Sequence, residues 1–232
     1  VPFSTTTQAF KEFILFLLTK PEEVVQFWKQ ELESALGANG AVIVNVIPEL
    51  ELLIGPQPPV AILPAADEQQ RFDLTFRKFV GVFARPEHPL VLFLDDLQWA
   101  DAASLRLIKN LIAEGENTHL LIIGAFRENE VGSEHLLTEV VKELQAADIT
   151  VEKIVLQSLS AEISKAFVAD SLQCTQDQAA SLSNLVYEKT QGNPFFIIQF
   201  LKMLYLEKLL QFSQTSHVWK WDLDRVEAQE YA

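Results

Sequence analysis

The sequence predicts an α/β fold, a parallel sheet flanked by helices and followed by a small helical domain. Three observations carry this expectation. Leu90 to Leu94 is an unbroken apolar run, the pattern of a parallel strand buried on both faces. A helix-spaced segment at 102–112 and a second apolar run from Leu120 to Gly124 follow it. Beyond Ser160 the apolar positions keep helical spacing to about Leu210.

The elements follow in order. Phe10, Phe13, Ile14, Leu17 and Leu18 mark one face of a first helix, and Pro21 opens a second through Trp28 and Leu32 to Leu36. Gly37-Ala38-Asn39-Gly40 reads as the cap and turn after it. Residues 41–54 have β-propensity in Val42-Ile43-Val44-Asn45-Val46-Ile47 but helical spacing in Ile47, Leu50 and Ile54, with Pro48 suited to a first turn. Helix is the reading adopted there. Four prolines make 55–64 an extended connector. Phe72, Phe76, Phe79 and Phe83 then fall at i, i+4, i+7 and i+11, a core stripe on a long helix. After the second apolar run, 136–147 should be helical and 151–156 a short strand. Ser160 caps the run of helices. Val218-Trp219-Lys220-Trp221 after a polar turn suggests a hairpin with both tryptophans on one face. Asp222 begins a last helix.

Asp95 and Asp96 close the first apolar run. Ligand chemistry in open α/β sheets sits just outside the carboxyl ends of the strands. Two acids there can hold Mg²⁺, which prefers oxygen ligands, and polarise a water for attack on a phosphate. The plainer reading is a core strand running into an Asp-rich helix cap. Asp101 suits that cap, but Asp95 and Asp96 lie too early for it. Arg127 ends the second run, where an arginine can reach a terminal phosphate, or else simply pair with Glu128 or Glu130. Gly192-Asn193-Pro194 can end one helix and start the next.

Leu94-Asp95-Asp96-Leu97-Gln98-Trp99-Ala100-Asp101 resembles the Walker B signature of the STAND class of P-loop signalling ATPases. It is most similar to the AAA-like ATPase module of large bacterial regulators and multidomain Ser/Thr–histidine kinases. His119 to Arg127 resembles that module's sensor strand, and Thr190-Gln191-Gly192-Asn193-Pro194-Phe195-Phe196 its Gly-x-Pro lid motif. The resemblance implies a P-loop NTPase-type core over 1–157, a helical lid over 158–211, and a hairpin starting a further winged-helix-like element over 212–232. It also implies roles. Asp95 binds Mg²⁺, Asp96 orients the attacking water, Arg127 senses the γ-phosphate, and Pro194 lies near the adenine of ATP.

A P-loop NTPase also needs Gly-x-x-x-x-Gly-Lys-Ser/Thr, whose backbone N–H groups cradle the phosphates. None of the 8 glycines is followed by Lys-Ser or Lys-Thr. The expectation is therefore a fragment beginning just after Walker A, with neither ATP nor Mg²⁺ held tightly by the fragment alone. In this class the Walker A strand lies between the sensor strand and the final strand. Its loss leaves an incomplete sheet, to be closed up, filled by another chain or left open.

Composition narrows the classes. A net charge of −14 from 18 basic and 32 acidic side chains argues against broad nucleic-acid contact. One cysteine, Cys174, excludes an internal disulfide and suits the cytoplasm. No apolar run approaches the ~20 residues that cross a bilayer. His88, His119, His135 and His217 are scattered without metal-ligand spacing, and neither a Gly-x-Ser-x-Gly elbow nor kinase catalytic motifs occur. The expected partners are other domains of the same polypeptide, with self-association through the incomplete sheet a further route. Two functions compete: part of an ATP-driven signalling switch in a larger regulator or kinase, or a non-catalytic interaction scaffold with a vestigial nucleotide site.

Overall fold

In the computed structural model, residues 4–113 and 118–227 are described. Val1-Pro2-Phe3 and 228–232, where the last expected element ends, lie outside them. The chain forms two compact units, Val1–Glu152 and Lys153–Ala232.

The first unit opens with helix α1 (Ser4–Leu17) and α2 (Glu22–Leu36). Pro21 stands at the start of α2, and Glu22 and Glu23 set negative charge against the helix's positive end. Gly37, at φ 52°, stops the helix as expected. Residues 41–54 are helical in two pieces, α3 (Gly40–Val44) and α4 (Leu50–Ile54). Pro48 splits them and accepts from Glu51 N–H in the first turn of the second piece. The connector at 55–64 has no regular structure, and α5 (Ala65–Phe83) follows.

The phenylalanine stripe of α5 organises this unit's core. Phe76 and Phe79 are fully buried, and Phe10 from α1 meets them edge-on at 5.8 and 5.1 Å. Edge-to-face pairing suits the ring quadrupoles. Around them close Ile14, Leu32, Ile43 and Leu50, together with Leu92 and Leu94 from the sheet.

The sheet consists of β1 (Leu90–Leu94) and β2 (Leu120–Gly124), paired parallel from Leu90↔Leu120 to Leu94↔Gly124. Helix α6 (Ala102–Ala113) lies between them in sequence, and α7 (Leu136–Ala146) follows. Asp101 caps α6, its carboxylate accepting from Ser104 N–H and Oγ–H at 2.9 Å each. Two expectations are corrected here. β1 is buried on one face only: Leu92 and Leu94 face the core while Val91 and Phe93 are 56% and 58% exposed. Leu121 and Ile123 continue the bare face. A continuous apolar run shows that both faces can be buried, but burial needs a second layer, and among the described residues only one face has it. Residues 151–156 form no strand. A strand exists through its hydrogen-bonded ladder, and no ladder partner for that segment occurs among the described residues.

The second unit contains α8 (Ala161–Ser171), α9 (Gln176–Thr190) and α10 (Pro194–Leu206). Ser160 Oγ accepts from Ile163 N–H to cap α8, and Thr175 with Gln178 forms a reciprocal capping box on α9. Val168, Leu182, Val186, Ile197 and Leu204 make its core. An antiparallel hairpin, β3 (Leu210–Ser213) and β4 (Val218–Trp221), leads to α11 (Leu223–Glu227). Trp219 and Trp221 pack on that core. No helix among the described residues is long and apolar enough to cross a membrane.

Candidate functional site

The carboxyl end of β1 delivers two acids into a sharp turn. Backbone pairing runs past both strands, with Ala125 N–H donating to Leu94 C=O at 2.8 Å and Leu97 N–H to Ala125 C=O at 3.0 Å. The sheet thereby grips the chain on either side of Asp95 and Asp96. Asp96 itself adopts the left-handed conformation (φ 54°, ψ 39°). That conformation is uncommon outside glycine and tolerated best by Asn and Asp. It lets the chain reverse into a short 3₁₀ turn, Leu97–Trp99. Asp95 Oδ1 accepts from Asp96 N–H at 2.9 Å.

Arg127 arrives from the end of β2. Its Nε lies 4.0 Å from Asp96 Oδ1, and its guanidinium donates to Glu130 at 3.1 Å. The simple ion pair with Glu130 is thus formed, and Arg127 faces Asp96 as well. Arg127 and Asp96 are solvent-exposed, so their pairing contributes no more than about 1 kcal/mol to stability.

Two residues that sequence reasoning passed over complete the arrangement. Gln98 is buried, its Nε2 donating to Asp96 Oδ1 at 2.7 Å and its Oε1 accepting from Arg127 N–H at 3.2 Å. His135 lies 3.2 Å by Nε2 from the Gln98 carbonyl, and its Nδ1 accepts from Leu137 N–H at 3.1 Å as the cap of α7. An apolar-flanked Gln beside the acid pair, and a His just ahead of an amphipathic helix, were the available signals.

Asp96 and Arg127 therefore face each other in the first unit, with Asp95 next to Asp96 at the strand end. Pro194 belongs to the second. There Asn193 caps α10, its Oδ1 accepting from Phe195 and Phe196 N–H, and Pro194 takes the first-turn position where its missing N–H costs nothing. Leu159 N–H donates to Gly192 C=O at 2.8 Å, tying the preceding segment to this turn.

The donor set, carboxylate oxygens alone, is of the kind that suits hard divalent cations. No group of three or more His, Cys, Asp or Glu that could hold a metal occurs among the described residues, so those residues form no all-protein cage. Mg²⁺ does not require one: it is commonly held by one or two carboxylates with waters and substrate phosphates. Asp95, exposed at a strand end, fits that mode.

The sequence profile described as "AAA ATPase domain" matches residues 1–123. Hybrid signal transduction histidine kinase G of Dictyostelium discoideum is 31% identical over 296 aligned residues, covering 99% of this chain. The chain spans only 8% of that relative's length. No solved structure matches the chain.

Proposed function

Since the chain belongs to the AAA ATPase domain family, a P-loop NTPase-type module, we propose that it is part of an ATP-dependent signalling switch of STAND type within a larger cytoplasmic regulator or kinase. The observation that carries the reading is that Asp96, preceded by Asp95, faces Arg127 at the carboxyl ends of two parallel strands. Similarity to a hybrid histidine kinase supports a signalling setting.

In this reading Asp95 is the protein's ligand to Mg²⁺, which when bound neutralises charge on the β- and γ-phosphates. Asp96 accepts a hydrogen bond from the attacking water and orients it. Arg127 exchanges its Glu130 partner for the terminal phosphate oxygens, and so reports whether that phosphate is present. Pro194 lies near the adenine on the helical lid. Nucleotide then biases two arrangements of core and lid. The 232 residues contain no Gly-x-x-x-x-Gly-Lys-Ser/Thr, so the phosphate cradle comes from elsewhere in the parent polypeptide. The chain alone is inactive, because positioning of the phosphates supplies most of the catalysis.

Calorimetric titration of Mg-ATP into the parent polypeptide, its Asp95→Asn variant and this chain tests the proposal. The parent should bind, the variant should lose Mg²⁺ dependence by about tenfold or more, and the chain alone should not bind. An Asp95→Asn parent with unchanged Mg²⁺ dependence and hydrolysis defeats the reading. One observation favours a second function, an interaction scaffold with a vestigial site: the bare apolar face of Val91, Phe93, Leu121 and Ile123. A parent that binds no nucleotide selects it.

A further inference from the structure

Gln98 is 6% exposed, which is unusual for its residue type. A buried carboxamide is costly unless its donor and acceptor are both engaged, and here they are. Its NH₂ donates to Asp96 Oδ1 and its oxygen accepts from Arg127 N–H. The orientation is unambiguous. The flipped amide would set its oxygen against the Asp96 carboxylate and its NH₂ against another N–H donor. A carboxamide is donor and acceptor on one planar group at neutral charge, and asparagine lacks this reach.

His135 holds the same turn from the other side. Its Nδ1 accepts a hydrogen bond from Leu137 N–H, so the ring proton resides on Nε2 and donates to the Gln98 carbonyl. One imidazole therefore caps α7 and grips the turn that carries the acid pair.

We propose that Gln98 is a positioning residue that sets Asp96 against Arg127, and that His135 anchors Gln98 to the start of α7. The inference rests on the reading of Asp96 as the water-orienting acid and Arg127 as the phosphate sensor. A displacement of the Asp96 carboxylate or of the Arg127 main chain pulls on the Gln98 amide, and through the Gln98 carbonyl on His135 and α7. The acid turn, the backbone that carries the sensor and the start of the helix are linked through one side chain.

The test uses Gln98→Ala, Gln98→Glu and His135→Asn in the parent polypeptide and in this chain. Glutamate keeps an acceptor for Arg127 N–H but brings a second carboxylate against Asp96. Asparagine keeps the α7 cap but is too short for the Gln98 carbonyl. In this chain, hydrogen exchange at the Arg127 amide should accelerate about tenfold or more in Gln98→Ala and stay slow in Gln98→Glu, with core amides unchanged. In the parent, both Gln98 variants should lower kcat for Mg-ATP hydrolysis by about 10- to 100-fold with KM within about twofold. His135→Asn should lower kcat less. A structural role alone would move KM, core exchange and stability together. If Asp95→Asn abolishes turnover while both Gln98 variants keep wild-type kcat, positioning by Gln98 is refuted and the ATPase reading stands. If none of these variants, Asp95→Asn included, alters turnover, the ATPase reading fails and this proposal falls with it.

Discussion

Replacing Gly192 by alanine isolates a contact that holds the second unit's central turn. A Cβ added there would stand 2.0 Å from the Leu159 carbonyl oxygen and 3.0 Å from its carbon. Ordinary non-bonded contacts lie near 3.5 Å, so backbone has to move. That movement breaks the Leu159 N–H to Gly192 C=O bond at 2.8 Å, a loss of about 1 kcal/mol. Crowding adds about 1–3 kcal/mol, and the positive φ of 73° about 1–2 kcal/mol for an L-residue. Alanine stiffens the unfolded chain, which offsets about 0.4–1 kcal/mol. Gly192→Ala should therefore destabilise by roughly 2–6 kcal/mol, read as a shifted urea midpoint by circular dichroism. Gly192→Asn separates the causes, because asparagine tolerates positive φ but still carries a Cβ. It should recover no more than about 1 kcal/mol. Gly132→Ala, where nothing lies within 4 Å, should stay within about 0.5 kcal/mol of the parent sequence. A fully restored midpoint in Gly192→Asn would show that the Leu159 contact is not what costs.

Two further expectations concern the first unit. Lys11 Nζ donates to Glu49 Oε1 at 2.7 Å and holds the Glu49 carboxyl below the usual range, helped by Glu49's own backbone N–H. That stability is present above the unfolded carboxyl pKa of about 4.3 and is lost as pH falls through the lower folded value. Glu49→Gln should flatten the acid limb of a stability–pH profile by about 0.2–1 kcal/mol; an acid limb identical to that of the unsubstituted chain would dismiss the pair. Phe79→Ala removes a fully buried ring that meets Phe10, Phe76 and Phe83 at 5.1, 5.7 and 5.4 Å. Thermal melts should place the cost near 3–5 kcal/mol, and a cost under about 1 kcal/mol would mean the stripe is not the core.

The sequence was most legible where a residue's role is settled by its near neighbours. The phenylalanine stripe of α5 repeats at helical spacing, and Phe76, Phe79 and Phe83 are buried as that spacing requires. Asp101 caps the helix that begins one residue later. Legibility fell where the role depends on distant chain. Whether β1 hides one face or two depends on the layers around it, which an apolar run does not specify. Residues 151–156 have the composition of a strand but lack the ladder. Gln98 finds Arg127 29 residues away and His135 37 residues away. No local pattern marks either pairing, so the acids were read without the amide that braces them.

The half-covered sheet has a consequence for how the chain behaves in solution. Val91, Phe93, Leu121 and Ile123 form an apolar strip that no polar neighbour on the same strands interrupts. Copies of such a surface attract at short range, by release of ordered water. What opposes close approach is long-range: a net charge of −14 on every copy. The reach of that repulsion shrinks from about 30 Å in dilute salt to about 3 Å at molar salt. Colloidal stability therefore rests on that charge and falls as salt screens it, so rising ionic strength lets the strips of two copies meet.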